Sequence, residues 1–438
     1  MTTLDGATAL QHPPPPVTLA EAGLNLDLIT QLVLKTLHFA GELDGAELGK
    51  HLGLFFQVIE PAVVDLKKQH HIAIVGGGSV GSVSYRYRIT DAGRTRAALF
   101  LETSHYVGVA PVPLEQYHRY MGEVRKASRP KPTRESLRDV FAHLVISQQM
   151  LDKLGPAIRA NHSMFLYGSP GNGKTVIAQA IRKTLTGEIA IPHALAVEGN
   201  IIRLFDPVNH EPVPSTDEET GLTDGQRIDR RWVRCRPPLI TVGGELTLDA
   251  LELSYSPTAG FYRAPVQAIA NGGVLVIDDF GRQHCSPTDL LNRWIVPLES
   301  RVDFLTLQTG QKFELPFMVL MVFATNLKPA DLVDEAFLRR IQYKIIAESP
   351  TEDQYVQIFE NYCRERRIRF DRSLVDHLLH DYYHPRQRPM RGCHPRDLIE
   401  HALSLADYCG QPNELTSELL ESACATYFVD EEKSDDDK

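Results

Sequence analysis

The sequence has few of the features that mark secreted, membrane-spanning or metal-binding proteins. Its 438 residues include six cysteines, none in a C-x-x-C pair, so the spacing of a zinc ribbon or a redox dithiol is missing. No apolar run approaches the ~20 residues that cross a bilayer, and the first residues lack the basic and apolar regions of a secretory signal. We therefore expect a cytoplasmic protein with no membrane partner.

The chain also has a deficit of positive charge. Lys and Arg total 46 against 56 Asp and Glu, which gives a formal net charge of −10. A domain that grips nucleic acid usually carries a basic surplus, and the whole chain does not. The hydrophobic fraction of 43% and the charged fraction of 23% are typical of a globular protein.

The central motif is the stretch MFLYGSPGNGKT at residues 164–175. An apolar strand runs into G-x-x-x-x-G-K-T, and a helix-forming segment follows, which is the context of a phosphate-binding P-loop. Loop N–H groups and the helix N-terminus would face the phosphates. Lys174 would reach the β- and γ-phosphates, and the Thr175 hydroxyl would bind Mg²⁺. The candidate nucleotide contacts are Gly168, Ser169, Pro170, Gly171, Asn172, Gly173, Lys174, Thr175 and Val176.

A second motif, GGVLVIDD, occupies residues 272–279. The apolar run fits a central parallel strand covered on both faces, and ligands bind at the carboxyl ends of such strands. The motif resembles a Walker B sequence, in which Asp278 would hold the Mg²⁺ shell. Asp279 stands where glutamate usually orients or deprotonates the attacking water. Its side chain is one methylene shorter, which leaves slow hydrolysis open.

Three further motifs follow in the order found in AAA+ ATPases. The strand FMVLMVF (317–323) leads to Asn326 and resembles the first sensor, which positions the water against the γ-phosphate. The segment DEAFLRR (334–340) resembles an arginine finger that acts on a neighbouring subunit, with Arg340 preferred over Arg339. The segment RGCHPRDL (391–398) resembles the second sensor, with Arg396 reaching the phosphates.

The five motifs together resemble the AAA+ superfamily over residues 134–428. This resemblance implies an α/β fold: an αβα P-loop core with a parallel sheet, a C-terminal helical lid, and a homo-oligomeric ring of six subunits. It also implies ATP and Mg²⁺ as cofactors. Residues 250–326 further resemble the MoxR-like ATPases, which carry a hairpin before the sensor strand, here near 302–315. The apolar pair Val145 and Ile146 fits an adenine contact, and fits an ordinary core position as well.

The N-terminal region favours a small separate domain at residues 18–108. Three helical segments, at about 26–37, 45–52 and 55–68, precede two strands at 72–76 and 83–90 and resemble a winged helix-turn-helix. That resemblance implies DNA binding. The region has eight basic and nine acidic residues, however, so it lacks the charge that supplies most phosphate affinity. Docking of a protein is therefore favoured over DNA.

The predicted organisation has six parts. They are a disordered arm (1–17), the winged-helix-like domain (18–108), a linker (109–133), the ATPase core (134–350), a helical lid (351–428) and an acidic tail (429–438). The predicted function is an ATP-hydrolysing AAA+ ring that remodels or assembles a protein recruited by its N-terminal domain. The alternatives are a DNA-associated ATPase in transcription or replication control, and a nucleotide-dependent switch with weak hydrolysis.

Overall fold

The computed structural model describes residues 12–77, 81–127, 132–214, 228–333 and 335–428. The predicted acidic tail and most of the predicted N-terminal arm lie outside these residues. Within these ranges every helix is too short or too polar to traverse a bilayer.

The secondary structure alternates between helices and short strands. In chain order, helices α1 to α17 span Leu19–Ala22, Leu26–Ala40, Gly45–Leu52, Phe56–Lys68, Asp91–Thr103, Leu114–Lys126, Arg134–Phe141, Gln148–Arg159, Lys174–Thr184, Val266–Ile269, Pro287–Ser300, Pro329–Leu332, Glu335–Arg340, Glu352–Arg366, Arg372–Leu378, His394–Tyr408 and Ser417–Tyr427. Strands β1 to β17 span Glu42–Asp44, Ile72–Gly77, Tyr85–Ile89, Val112–Pro113, Met164–Tyr167, Ile189–Pro192, Ala194–Val197, Asn200–Arg203, Trp232–Cys235, Leu239–Val242, Ser254–Ser256, Phe261–Arg263, Val274–Ile277, Val302–Thr306, Lys312–Pro316, Leu320–Thr325 and Tyr343–Ile346.

The central feature is a five-stranded parallel sheet with the order β10-β13-β16-β5-β17. Both β16 and β17 pair with β5 in parallel, with Val322 and Tyr343 each opposite Met164. Strands β13 and β16 are buried along their whole length. Such unbroken apolar strands are typical of a parallel sheet covered on both faces. The chain therefore has the predicted α/β fold.

The chain divides into two compact units, each assembled from separated segments. The first unit contains residues 1–131, 185–276 and 283–321, and the second contains 132–184, 277–282 and 322–438. In this division the P-loop and the C-terminal helices belong to the same unit. The predicted N-terminal domain likewise shares its unit with the long segment after the P-loop.

In the first unit, the three predicted N-terminal helices are α2, α3 and α4, and the two predicted strands are β2 and β3. These strands form an antiparallel sheet of order β1-β3-β2. The surrounding hydrophobic core does not close at residue 108, because it also contains Ala194 and Ile201. The hydrophobic core around the predicted domain thus includes two residues from later in the chain.

The predicted linker and the described end of the predicted arm both have defined contacts. The predicted linker forms helix α6, which buries Tyr117, Tyr120 and Met121. These side chains recur at the helical spacing of three and four residues, so their burial outweighs the turn-forming prolines on either side. The described end of the predicted disordered arm is also held in place: the Pro13 carbonyl accepts a hydrogen bond from the Asp229 N–H at 2.9 Å, and Pro16 is buried.

A second five-stranded sheet of order β11-β12-β8-β7-β4 lies in the first unit. The predicted hairpin before the sensor strand is the antiparallel pair β14 and β15. In the second unit, residues 351–428 are helical as predicted, and α14 to α17 enclose a core of their own that includes Tyr355, Phe359 and Leu398.

Candidate functional site

The candidate site of the second unit begins at the loop between β5 and α9. Gly168, Gly171 and Gly173 adopt positive φ angles of 145°, 79° and 72°, which L-residues with a Cβ rarely adopt. A Cβ at Gly171 would lie 2.5 Å from the Cys393 Sγ, so glycine is required there for close packing as well. Helix α9 starts at Lys174, and its N-terminus together with the loop forms the anion-binding geometry of a P-loop.

Lys174 is held at the base of this loop. Its Nζ donates to the Gly168 and Ser169 carbonyls, at 3.0 and 2.9 Å, and to the Asn326 Oδ1 at 2.6 Å. The ammonium is buried, and this burial lowers its pKa, while Asp278 and Asp279 act in the opposite direction. Because burial leaves the Lys174 charge poorly solvated, the ammonium attracts a polyanion such as a chain of phosphates.

The two carboxylates at the end of β13 have different partners. The Thr175 hydroxyl donates to Asp278 Oδ2 at 2.7 Å, and the Asp279 N–H donates to Asp278 Oδ1 at 3.0 Å. Asp279 has a φ of +48°, an uncommon conformation that aspartate adopts more readily than most residues. Its Oδ1 accepts a hydrogen bond from Asn326 Nδ2 at 3.0 Å. Asn326 thus bridges Asp279 and Lys174.

Backbone hydrogen bonds fix these side chains in place. The Gly168 N–H donates to the Thr325 carbonyl at 3.2 Å, and the Phe280 N–H donates to the Ala324 carbonyl at 2.7 Å. The end of β16 is therefore bonded to the P-loop on one side and to the segment after β13 on the other. As a result, the polar residues that follow three neighbouring strands meet at one edge of the sheet, as expected at the carboxyl ends of parallel strands.

An adjoining pocket combines apolar and polar side chains. Its walls include Val145, Ile146, Met150, Ile177, Ile346 and Ile358, and Asn172 and Gly392 connect it to the P-loop. Val145 and Ile146 are half-buried and line the cavity, so they occupy a surface that a flat ring can contact. Val176, in contrast, lies on the exposed side of α9.

The segment before α16 contacts the P-loop through residues other than the predicted one. The Cys393 N–H donates to the Gly171 carbonyl at 2.8 Å, and Arg391 Nη1 donates to Ser349 Oγ at 3.0 Å. The charge of Arg391 lowers the pKa of Lys174. Arg396, by contrast, is paired with Asp397 through Nε and Nη2, at 2.9 and 2.8 Å.

The second-sensor motif contains both Arg391 and Arg396, and Arg396 is the predicted phosphate contact. The order Arg391-Gly392-Cys393 could have indicated the contact with the P-loop, because a glycine lets two loops approach closely. Arg339 and Arg340 end helix α13, with Arg339 exposed and Arg340 half-buried.

The residues suit Mg²⁺ as a bound ion. Thr175 and Asp278 present a hydroxyl and a carboxylate within 2.7 Å of each other, and Mg²⁺ prefers such hard oxygen ligands beside phosphate oxygens. Among the described residues, no group of three or more His, Cys, Asp or Glu side chains forms a metal cage. An ion held partly by a ligand's phosphates needs no such cage.

Comparison with known proteins gives limited similarity. A family described as "Domain of unknown function (DUF8689)" matches residues 351–426, which is the C-terminal helical part. No curated protein sequence matches the chain. Among solved structures, the chain is similar to a Thermotoga maritima RuvB described as a Holliday junction branch migration motor, with 12% identity, a TM-score of 0.38, and coverage of 69% of this chain and 74% of that chain.

It is also similar to Brucella abortus NtrX in complex with ATP, with 12% identity, a TM-score of 0.40, and coverage of 79% of this chain and 68% of that chain. At these values the similarity carries no functional conclusion. The functional assignment depends on the geometry of the site itself.

Proposed function

We propose that this protein is a Mg²⁺-dependent ATPase of the AAA+ type. The observation that carries the proposal is the meeting of Lys174, Thr175, Asp278 and Asn326, which come from a P-loop and the ends of two neighbouring strands. Three separate segments of sequence supply the groups that phosphoryl transfer requires, namely a phosphate cradle, a metal-binding pair and a polar side chain for the γ-phosphate.

Each residue has a distinct role in this proposal. The loop N–H groups and Lys174 bind the phosphates, and Thr175 and Asp278 hold Mg²⁺. When bound, the ion neutralises charge on the β- and γ-phosphate oxygens. Asp279 and Asn326, which are hydrogen-bonded to each other, orient the attacking water. Val145 and Ile146 contact the adenine ring in the adjoining pocket.

Arg391 is proposed to fill the role that the sequence motif assigns to Arg396. Arg391 lies in the short segment that bonds to Gly171 of the P-loop, and its charge acts on Lys174. A guanidinium there adds charge-assisted hydrogen bonds to phosphate oxygens. Arg396 would first have to break its pair with Asp397.

A ring assembly supplies the remaining charge. Arg340, or Arg339 as second choice, would reach the γ-phosphate of a neighbouring subunit and stabilise the charge that develops during transfer. Six subunits are proposed because the AAA+ resemblance implies them.

The partner is proposed to be a protein, docked on the face formed by α4 and the strand β2. The exposed apolar side chains of these two elements include Val64 on α4 and Ile74 and Val75 on β2, and such side chains suit protein contact more than phosphate contact. The DNA alternative relies on Lys67 and Lys68 at the end of α4. A filter-binding titration distinguishes the two, because phosphate contacts give a steep loss of affinity with salt.

The decisive experiment compares Lys174→Ala with Lys183→Ala. Both lysines lie on α9, but Lys183 is exposed and far along the helix. We expect Lys174→Ala to reduce steady-state phosphate release by more than about 100-fold, since it removes a buried charge aimed at the phosphates. Lys183→Ala should retain wild-type turnover.

Equal turnover in the two variants would contradict the proposed site. Wild-type protein that binds ATP with no phosphate release would instead identify a nucleotide-dependent switch, with the shorter Asp279 as the physical reason.

A further inference from the structure

A second cavity lies in the first unit and has no part in the proposed ATPase. Its volume is about 350 Å³, and its lining combines aromatic and basic side chains. Tyr106, Phe205 and Phe261 provide the aromatic surface, and His105, His193 and Arg203 provide the basic groups. Small-molecule sites combine an apolar wall with a few polar groups in this way.

One wall of the cavity is the segment 104–110, which is fixed along its length. The buried Lys35 Nζ donates to the Ser104 carbonyl at 3.1 Å, and the Ala110 N–H donates to the Leu52 carbonyl at 2.9 Å. Between these points the Tyr106 hydroxyl donates to the Val109 carbonyl at 2.7 Å. This wall is therefore preformed, and a ligand would not have to order it.

The remaining wall, which contains His193, Phe205 and Phe261, is also held by hydrogen bonds and ring contacts. The His193 N–H donates to the Arg231 carbonyl at 3.0 Å, and its carbonyl accepts from the Phe205 N–H at 3.2 Å. The Phe205 ring packs against His193 and His210, with centroid distances of 5.3 and 5.5 Å. The Phe261 ring meets Tyr106 edge-on at 5.7 Å.

The basic groups of the cavity have unused hydrogen-bonding capacity. Among the described residues, the side chains of His105, His193 and Arg203 have no hydrogen-bond or ion-pair partner. The described residues that line the cavity include no acidic side chain, and the nearby Asp206 carboxylate accepts hydrogen bonds from the Val208 N–H and from Asn209 Nδ2. Burial lowers the pKa of His193, and the nearby Arg203 charge lowers it further, so the guanidinium lies within electrostatic reach of that ring.

We infer that the cavity binds a small organic anion with a flat apolar body, such as an aromatic carboxylate. The aromatic walls would contact the flat body, and the Arg203 guanidinium would pair with the anionic group in its planar, bidentate geometry. His105 and His193 would donate further hydrogen bonds. A neutral molecule of the same shape would leave Arg203 unpaired, so charge is the basis of selectivity.

The test is calorimetric titration of the full-length protein with 1-naphthoate, beside 1-naphthamide as its neutral isostere. We expect saturable binding of the carboxylate, with a Kd below about 1 mM, and at least about tenfold weaker binding of the amide. Arg203→Met should weaken carboxylate binding by about 10- to 100-fold, the effect of losing a charge-assisted hydrogen bond.

Arg94→Met is the matched control, because Arg94 is exposed on α5 of the same unit and does not line the cavity. It should bind 1-naphthoate like the wild type. His105→Gln provides a second test at an exposed cavity position, should Arg203→Met fail to fold, and should also weaken binding. Titration with 1-naphthyl phosphate in the Lys174→Ala background tells whether a phosphate serves as the anionic group.

The inference would be overturned if 1-naphthoate did not bind at a concentration five-fold above the expected Kd and 1-naphthyl phosphate did not bind either. Equal affinity for the acid and the amide, or unchanged affinity in both Arg203→Met and His105→Gln, would overturn it as well.

Discussion

Lys35 is a buried cation whose Nζ has one hydrogen-bond acceptor in the part of the chain that the structure describes. Only 1% of its surface is exposed, and its Nζ donates to the Ser104 carbonyl. Burial lowers its pKa to about 8. Between that value and the ordinary pKa near 10.5, the unfolded chain binds more protons than the folded chain, so this group makes the protein more stable as the pH rises through that range.

Replacing this lysine should therefore stabilise the protein at neutral pH. We expect Lys35→Met to raise the free energy of unfolding by about 1–3 kcal/mol at pH 7, because it removes the cost of burying a charge. The advantage over wild type should shrink as the pH approaches 10. Urea unfolding at both pH values measures the difference, with the exposed Lys67→Met as control. An advantage that grows with pH would contradict the assigned cause.

The two arginines of the second-sensor motif give a separate test. We expect Arg391→Ala to weaken ATP binding or turnover by about tenfold or more, because it removes a charge-assisted contact to phosphate. Arg396→Ala should change either quantity less than about threefold, since its guanidinium is paired with Asp397. Nucleotide titration and steady-state kinetics measure both. A larger loss in Arg396→Ala would return the role to the residue that the motif alone selected.

At the scale of elements, one buried ion pair ties three segments of the first unit together. Arg231 and Asp229 are each 1% exposed, and Arg231 Nε and Nη2 donate to the Asp229 carboxylate. The same guanidinium donates to the Ala22 carbonyl at the end of α1, and to Gln116 Oε1 on α6. Asp229 lies in an acidic, turn-rich stretch of sequence, which suggests exposure. Its burial is explained by Arg231, whose guanidinium also donates to acceptors far away in the sequence, the Ala22 carbonyl and Gln116 Oε1.

Breaking this pair should loosen both helices. We expect Asp229→Ala to destabilise the protein by about 3–5 kcal/mol, because it leaves a buried guanidinium without its counterion. The double variant Asp229→Leu with Arg231→Met should recover a large part of that loss, since no charge is left buried. Thermal unfolding measures stability, and hydrogen exchange of the amides in α1 and α6 locates the change. If Asp229→Ala were as stable as the wild type, the ion pair would not be what holds α1 and α6 in place.

Sequence patterns predict the strands and loops near the site better than they predict which segments pack together into one compact unit. The apolar strands, the P-loop glycines, and the polar residues that follow each strand are local signals, and together they predict the meeting of Lys174, Thr175, Asp278 and Asn326. The burial of α6 and the core shared with Ala194 depend on contacts between distant segments. The prolines and basic residues around α6 give no sign of these contacts. Local composition indicates which segments tolerate solvent, but it does not show which distant segments pack together.

At the scale of the whole molecule, the proposed ring makes a prediction about mixtures. Lys174→Ala lacks a working P-loop but keeps Arg340, and Arg340→Ala has the opposite defect. If the finger acts between subunits, we expect a 1:1 mixture of the two inactive variants to regain activity, with about one quarter of the sites intact for random assembly. Phosphate release after subunit exchange measures the recovery, and a mixture of Lys174→Ala with Arg339→Ala tests the second-choice arginine in the same way. No recovery in rings shown to be mixed would contradict action in trans.

The interleaved course of the chain has a consequence for its synthesis. The boundaries between the two units fall after residues 131, 184, 276, 282 and 321, so the first unit lacks a segment until residue 321 has left the ribosome. Its early helices must therefore wait while some 190 further residues are translated, which takes on the order of 10–40 s at ordinary translation rates. The apolar faces that later contact Ala194 and Ile201 are uncovered during the first part of that interval, until those two residues have been made, and exposed apolar surface makes a nascent chain prone to aggregation.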